Sequence, residues 1–123
     1  MLSEKTIVTT IPVVDIKRAK QFYEEKLELK LLQEMDDGLF FEAGNNTQIF
    51  LYQRDQTKAD HTVATFVVDD IEIEVNHLKN KGVIFEEYNL PNIKTVDGIA
   101  TTDYYKSAWF KDTEGNIIGI TQM

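Results

Sequence analysis

The sequence contains no cysteine, and only two prolines and six glycines occur among its 123 residues. The absence of cysteine excludes disulfides, thiolate nucleophiles and cysteine-ligated zinc or iron–sulfur sites. No run approaches the eighteen or so apolar residues of a membrane-spanning helix, and the N-terminal segment lacks the basic-then-apolar pattern of a signal peptide. These absences favour a cytoplasmic protein.

Basic residues are also scarce. Thirteen of them stand against twenty-one acidic residues, so the formal net charge is −8. Because binding to nucleic acids and anionic membranes depends on clustered lysine and arginine, neither is expected as a partner. Acidic pairs at positions 24–25 and 86–87 are typical of a solvated surface. Solubility is the simpler interpretation of the acidity, and attraction of a cationic ligand is the alternative.

A strand, a capping residue and a helix follow one another near the N-terminus. The segment TIVTTIPVV alternates as a half-buried strand does, and Asp15 then stands at the position of a helix N-cap. In the next segment, IKRAKQFYEEKL, the apolar residues Ile16, Ala19, Tyr23 and Leu27 fall on one stripe at helical spacing. The pattern predicts a strand followed by an amphipathic helix.

The same order occurs again in the second half of the chain. The strand-like segment HTVATFVV is followed by two aspartates and by IEIEVNHLKNKG, whose apolar residues repeat at helical spacing until Gly82. Asp69 and Glu72 have the spacing of a capping box, so either Asp69 or Asp70 can serve as the cap.

Alignment of the two copies predicts an internal repeat. Asp15 aligns with Asp70, and FEAGNNTQIFLYQ aligns with FKDTEGNIIGITQ, so that Gln53 matches Gln122. Three strands are predicted after each helix: LKLLQEM, GLFFEAG and TQIFLYQ in the first copy, and VIFEEYN, SAWFKD and NIIGITQ in the second. Fourteen additional residues in the second copy fall at positions 86–105 and predict a longer loop. One copy has too little core to be stable alone, so a single domain of two βαβββ modules, residues 1–54 and 60–123, is expected.

Three segments resemble the vicinal oxygen chelate superfamily, which includes glyoxalase I, extradiol dioxygenases and the fosfomycin- and bleomycin-resistance proteins. They are IPVVDIKRAKQFYEEKLELK, FVVDDIEIEVNHLKNKGVIF and AWFKDTEGNIIGITQ, and together they cover nearly the whole chain in the family's order. The resemblance implies an α+β fold in which two tandem βαβββ modules form a cupped mixed sheet with helices on its convex side. It also implies a ligand site in the concavity and frequent pairing into homodimers.

The chemistry of this family uses a divalent metal held by histidine and glutamate side chains that point into the cup. The positions that match those ligands in this chain are Val8, Phe50, Val63 and Gly119. None of the four side chains carries a nitrogen or oxygen atom that could coordinate a cation. The resemblance therefore implies a member without the metal, and no other cofactor is expected; the missing side chain of Gly119 is expected to leave room beside it.

Few other residues of the chain could supply ligands for a metal ion. His61 shares a predicted face with Val63, whereas His77 falls on the surface of the second helix. Glu42 and Asp97 are the remaining candidates for additional ligands. One histidine with scattered carboxylates does not predict a metal centre.

Alternation from these positions predicts the wall of the cup. The wall combines aliphatic and aromatic surface with hydroxyl and amide groups, which is typical of a small-molecule pocket. Phe40, Tyr104 and Tyr105 are further aromatic candidates near the mouth or floor. The long loop of the second module, particularly Tyr88, Leu90 and residues 96–99, is expected either to cover the cup as a lid or simply to connect strands. The predicted ligand-binding residues are Val8, Thr10, Gln48, Phe50, Tyr52, His61, Val63, Thr65, Trp109 and Gly119.

Three functional hypotheses follow. The first is a metal-free small-molecule binding protein, similar in type to the bleomycin-resistance proteins, which takes an organic ligand in the cup. The second is a lyase, isomerase or dioxygenase of the same superfamily, including a metal-independent acid–base enzyme that uses Glu42, His61 or Asp97. The third is a structural or regulatory module with no ligand, in which the aromatic residues fill the core or a dimer interface.

Overall fold

The computed structural model describes residues 1–123 and divides into two compact units, Met1–Lys58 and Ala59–Met123. The boundary lies within the linker that the sequence predicts at residues 54–60. None of the helices is long and apolar enough to cross a membrane.

Each unit begins with a strand and a helix and continues with further strands. In the first unit, a short 3-10 turn at Leu2–Glu4 precedes β1 (Thr9–Val13), α1 (Ile16–Gln21), a π-helical extension (Phe22–Lys26), β2 (Lys30–Met35), β3 (Gly38–Glu42) and β4 (Gln48–Gln53). The second unit consists of β5 (Thr62–Val67), α2 (Ile71–Asn80), β6 (Thr95–Val96), β7 (Ile99–Thr101), β8 (Lys106–Lys111) and β9 (Ile117–Gln122).

The first unit is a four-stranded sheet with the order β1-β4-β3-β2, in which β1 and β4 are parallel. Alternate residues of its central strands are fully buried, and they form a core with the helix. This core contains Ile11, Val13, Ala19, Tyr23, Leu39, Phe41 and Leu51. The Tyr23 ring stacks on the Phe41 ring at a centroid distance of 5.8 Å, which joins the helix to β3. The helix stripe predicted from the sequence therefore packs on the sheet.

The second unit repeats this plan with five strands in the order β5-β9-β8-β7-β6, and β5 runs parallel to β9. The predicted stripe of α2, Ile71, Val75 and Leu78, is buried. It packs on the same side of the sheet as the buried residues Ala108, Phe110, Ile118 and Ile120.

The segment VIFEEYN does not form the predicted strand. Phe85 makes an isolated bridge with Phe110, and the Glu86 amide donates to the Trp109 carbonyl at 2.8 Å, but no continuous ladder forms. The reason is competition for one edge of β8, because β7 pairs with residues 106–108 of that strand. Val83 and Phe85 are nevertheless buried and Ile84 is exposed, so the alternation of the segment was predicted correctly.

Part of the predicted long loop is a β-hairpin. β6 and β7 are joined by Asp97 and Gly98, which both have positive φ, 53° and 84°. An Asp-Gly pair with this backbone is the usual two-residue turn between antiparallel strands. The dipeptide in TVDGIA is therefore a signal that the sequence interpretation overlooked.

Side chains at equivalent positions of the two units hold the helix N-termini in place. The Arg18 amide donates to Asp15 Oδ1 at 3.1 Å, and Asp70 Oδ1 accepts from the amides of Glu72 and Ile73. Asp70 rather than Asp69 is thus the cap of α2. The matched glutamines also act near the helix starts, because Gln53 Nε2 donates to the Val14 carbonyl and Gln122 Oε1 accepts from the Ile71 amide.

The two adjacent aspartates before α2 provide a matched test of the cap. We expect Asp70→Ala to lower the free energy of unfolding by about 1 kcal/mol, because two amides of the first turn lose their acceptor. Asp69→Ala removes the same charge next to the cap and is expected to change the free energy much less. Urea denaturation of both variants measures the difference, and equal losses would show that charge rather than the capping bond matters.

Candidate functional site

The face of the first sheet opposite α1 carries three aromatic residues of its strands that are not part of the core. Cross-strand pairing aligns Phe40 with Phe50 and Gly38 with Tyr52, and the parallel pairing places Thr10 beside Phe50. Partners in register project on the same side of a sheet. The side chains of Phe40, Phe50 and Tyr52 are partly exposed, whereas their neighbours in sequence are buried on the other side.

Three rings form a continuous aromatic strip on this face, which we call the aromatic face (Phe40, Phe50 and Tyr52). The centroids of Phe40 and Phe50 lie 4.5 Å apart with the rings tilted by 30°. Phe50 and Tyr52 are 6.5 Å apart and nearly parallel, at 16°. The three rings therefore pack on one another in a row and form one continuous apolar surface, against which another planar group can pack.

Gly38 allows the Phe50 ring to pack close against the backbone of β3. A Cβ atom at this position would overlap Cε1 and Cζ of the Phe50 ring and would lie 3.1 Å from the Leu51 carbonyl oxygen. The ring thus occupies the space that a side chain at position 38 would take. Gln48 and Thr10 flank the strip with an amide and a hydroxyl group.

The corresponding face of the second sheet combines one indole with several hydroxyl groups. Trp109 pairs with Gly119 across β8 and β9, and Ser107 Oγ lies 2.8 Å from Thr121 Oγ1 on the same side. The Tyr88 ring packs edge-on against Trp109 at a centroid distance of 5.5 Å. This face therefore offers hydrogen-bonding groups around an aromatic centre.

A β-bulge in β5 changes which residues of that strand reach this face. The pairing with β9 shifts between Thr62 and Ala64, so that Thr65 lies opposite Gly119. An ideal Cβ at Gly119 would be 3.4 Å from Thr62 Cγ2 and 3.1 Å from Thr65 Oγ1. Simple alternation predicted Val63 and Thr65 but missed Thr62, because a bulge interrupts the two-residue period.

The space beside Gly119 is already filled. Thr65, Thr62 and Trp109 all lie within 3.5 Å of the position that its Cβ would take. The expectation that the glycine leaves an opening is therefore wrong. The glycine instead permits close packing of the threonine and indole side chains, as glycine in a strand often does.

The second face also carries a hydroxyl group whose acidity is altered by its surroundings. Partial burial, together with the nearby negative charge of Glu86, raises the pKa of Tyr88 above its ordinary value. The Tyr88 hydroxyl consequently stays protonated throughout the neutral range and can donate a hydrogen bond to a ligand. Sequence interpretation placed this residue in a loop of undecided role.

The residues present do not fit the metal that the fold family implies. Val8, Phe50, Val63 and Gly119 have no donor atoms, and no group of three or more His, Cys, Asp or Glu side chains is placed to hold an ion. His61 is exposed just before β5, and His77 is exposed on α2. The two further candidates also lie apart: Glu42 is at the end of β3, and Asp97 is in the β6–β7 turn.

The ten predicted ligand-binding residues divide equally between the units. Gln48, Phe50 and Tyr52 lie together on β4, and Thr10 lies beside them on β1. Val8 is just outside β1 and is 36% exposed. In the second unit, Thr65 and Trp109 lie opposite Gly119 on the two neighbouring strands, Val63 is at the bulge, and His61 precedes the strand.

Two units, each with a strand, a helix and three or four further strands in one mixed sheet, define an α+β protein of the glyoxalase type. The sequence profile of the Glyoxalase/Bleomycin resistance protein/Dioxygenase superfamily matches residues 6–120. The chain therefore belongs to this superfamily, and the resemblance inferred from its motifs is confirmed.

Solved structures with the same fold include proteins of different activities. The chain is similar to a glyoxalase family protein from Enterococcus faecalis, with 20% identity, a TM-score of 0.74 and coverage of 98% of this chain and 99% of the other. TnmS3, an antibiotic binding protein from Streptomyces sp. CB03234, is 24% identical over 97% of both chains, with a TM-score of 0.70. Lactoylglutathione lyase from Agrobacterium tumefaciens is 17% identical over 97% of this chain and 93% of the other, with a TM-score of 0.70. No curated protein sequence matches the chain.

Proposed function

We propose that this chain is a metal-independent small-molecule binding protein whose ligand stacks a planar group on the aromatic face. The observation that carries the proposal is the strip of three partly exposed rings, Phe40, Phe50 and Tyr52, next to an amide and a hydroxyl group. Partly exposed aromatic surface with a few polar groups at its edge is the common composition of small-molecule sites.

The energetics of stacking support this function. A well-placed aromatic pair contributes roughly 0.5–1.5 kcal/mol beyond the burial of its apolar area. The Phe50 ring has neighbours on two sides, Phe40 and Tyr52, so a ligand ring on this strip would meet more than one partner. Because the rings already pack on one another, little conformational entropy is lost when a ligand binds.

Charge favours a neutral or cationic ligand on this face. The chain has a net charge of −8, which repels anions at a distance and attracts cations. The antibiotic binding protein TnmS3 shares the fold, and binding of a drug-like molecule without catalysis is the function we propose here by analogy. We further propose a cytoplasmic location and a homodimeric assembly.

Proflavine, a planar cationic dye, is a suitable probe of the aromatic face. We expect saturable binding by fluorescence titration, and we expect Phe50→Leu to weaken it about tenfold, equivalent to 1.4 kcal/mol, since a flat ring is replaced by a branched aliphatic group. Tyr104→Leu, which removes a ring that is 87% exposed in a loop, is the matched control and should leave the affinity unchanged.

Two results would contradict the proposed function. One is binding of proflavine that Phe50→Leu and Tyr104→Leu weaken equally, because the dye would then not recognise the aromatic face. The other is stoichiometric Ni, Zn, Mn or Fe in the purified protein together with turnover of a substrate, which would assign the chain to the lyases, isomerases or dioxygenases of the superfamily.

A further inference from the structure

The second unit contains a cavity on the helix side of its sheet, away from the face that carries Trp109. It lies between α2 and the strands β6, β7 and β8, and its volume is about 590 Å³. The hairpin β6–β7 creates it, because this hairpin extends the sheet to five strands and α2 packs mainly against β8 and β9. The first sheet has four strands and no such extension. We call this cavity the hairpin groove.

Three lysines from separate parts of the second unit line the hairpin groove. Lys79 belongs to α2, Lys94 directly precedes β6, and Lys106 begins β8. The whole chain has only thirteen basic residues and a net charge of −8, whereas three lysines and two carboxylates give the lining of this cavity a net charge of +1 (3 − 2). The two carboxylates are those of Glu72 and Asp97.

The ammonium groups of these lysines are available to a ligand. Lys106 Nζ lies 3.8 Å from Glu72 Oε1, and both side chains are substantially exposed, so this ion pair is weak and can be exchanged. Lys79 Nζ donates to the backbone carbonyl of Asp97 at 3.1 Å and has two further protons. Lys94 is exposed and has no ion pair in the structure.

The floor of the groove is partly apolar. Val75 is buried beneath it, Ile99 is half-buried, and Val96 is 75% exposed at its side. Aliphatic side chains next to ammonium groups suit a ligand that has both an apolar body and a negative charge. A volume of about 590 Å³ is within the range of small-molecule sites.

We propose that the hairpin groove binds a small organic anion, a phosphate or carboxylate with a compact apolar group. Lys79, Lys94 and Lys106 pair with the anionic end, and Val75, Val96 and Ile99 contact the apolar end. This site is separate from the aromatic face of the first unit and has the opposite charge preference. The proposal does not depend on the function assigned to that face.

Phenyl phosphate is the probe for this site, with benzyl alcohol as its neutral counterpart. We expect saturable binding of phenyl phosphate by isothermal titration calorimetry at low ionic strength, weaker binding at physiological salt, and none of benzyl alcohol. Lys94→Glu is expected to weaken binding by about tenfold or more, because it places a carboxylate beside the anion. Thermal denaturation of the variant checks that it folds, as expected for an exposed position.

Lys111→Glu is the matched control. Lys111 is an exposed lysine of β8 that lies outside the groove and pairs with Glu86. Because both variants replace lysine by glutamate, they change the net charge by the same amount. It should reduce the affinity by less than about threefold, as a distant screened charge does. Equal effects of the two variants, binding of benzyl alcohol as strong as that of phenyl phosphate, or no saturable binding of phenyl phosphate would each overturn the proposal.

Discussion

Replacement of Asp112 by alanine is expected to lower the free energy of unfolding by about 3 kcal/mol, because several buried hydrogen bonds are lost together. Asp112 is buried in the turn between β8 and β9. Its Oδ1 atom accepts from the amides of Glu114 and Asn116 at 2.8 and 2.9 Å, and Oδ2 accepts from Asn116 Nδ2 at 2.9 Å. Alanine would leave these donors without their acceptor in a place that water reaches poorly.

Two further variants separate the hydrogen bonds of Asp112 from its charge. Asp112→Asn keeps one carbonyl oxygen for the two backbone amides but directs an NH₂ group at Asn116 Nδ2, so a smaller loss of about 1–2 kcal/mol is expected. Asp103→Ala removes an exposed aspartate elsewhere in the same unit and should change stability by less than about 0.5 kcal/mol. Urea denaturation measures the free energy of unfolding of all three variants. The dependence of this free energy on urea concentration should be the same for each, which shows that the unfolded states are comparable. A loss for Asp112→Ala no larger than that for Asp103→Ala would show that the turn forms without this side chain.

The sequence predicted the repeat because its signals are local. Asp15, Asp70 and Gly82 act through backbone groups within a few residues of themselves, and the structure shows each in its predicted role. For Gly82, the amides of Gly82 and Val83 donate to the carbonyls of Lys79 and Leu78 as the helix ends. Periodicity and capping therefore predicted both helices and most of the strands correctly.

Features that depend on competition or contact between distant residues escaped prediction. The segment VIFEEYN has the alternation of a strand, but β7 pairs with the same edge of β8 and leaves room only for an isolated bridge. The bulge that brings Thr62 toward Gly119 depends on the register between β5 and β9. The sequence shows neither which strand pairs with a given edge nor the register between two strands. The positions of VIFEEYN and Thr62 therefore become evident only in the structure.

The aromatic face illustrates the same limit. Alternation from Phe50 placed Gln48 and Tyr52 correctly on its side of β4. The arrangement of the rings, however, depends on which residue lies beneath Phe50, and that residue is Gly38 from another strand. Nothing around Gly38 in the sequence distinguishes it from a glycine in an ordinary turn.

Gly38→Ala is therefore expected to destabilise the protein by about 1–3 kcal/mol, the usual cost of forcing an extra methyl group into a packed site. The new Cβ would overlap the Phe50 ring, and the Leu51 carbonyl oxygen at 3.1 Å prevents the strand from yielding in the other direction. Gly44→Ala is the matched control, because no atom lies within 4 Å of its ideal Cβ and its φ is not in the left-handed region. The control should be neutral or slightly stabilising in urea denaturation.

A double-mutant cycle assigns the cost of Gly38→Ala to the ring. In a Phe50→Ala background the overlap disappears, so the same glycine substitution should cost at least about 1 kcal/mol less than in the parent protein, a coupling typical of residues in contact. Displacement of the ring should also weaken proflavine binding in Gly38→Ala and not in Gly44→Ala. If Gly38→Ala lost stability equally in both backgrounds, strain in the backbone of β3 and not the Phe50 ring would be responsible, and position 38 would have no role in shaping the aromatic face.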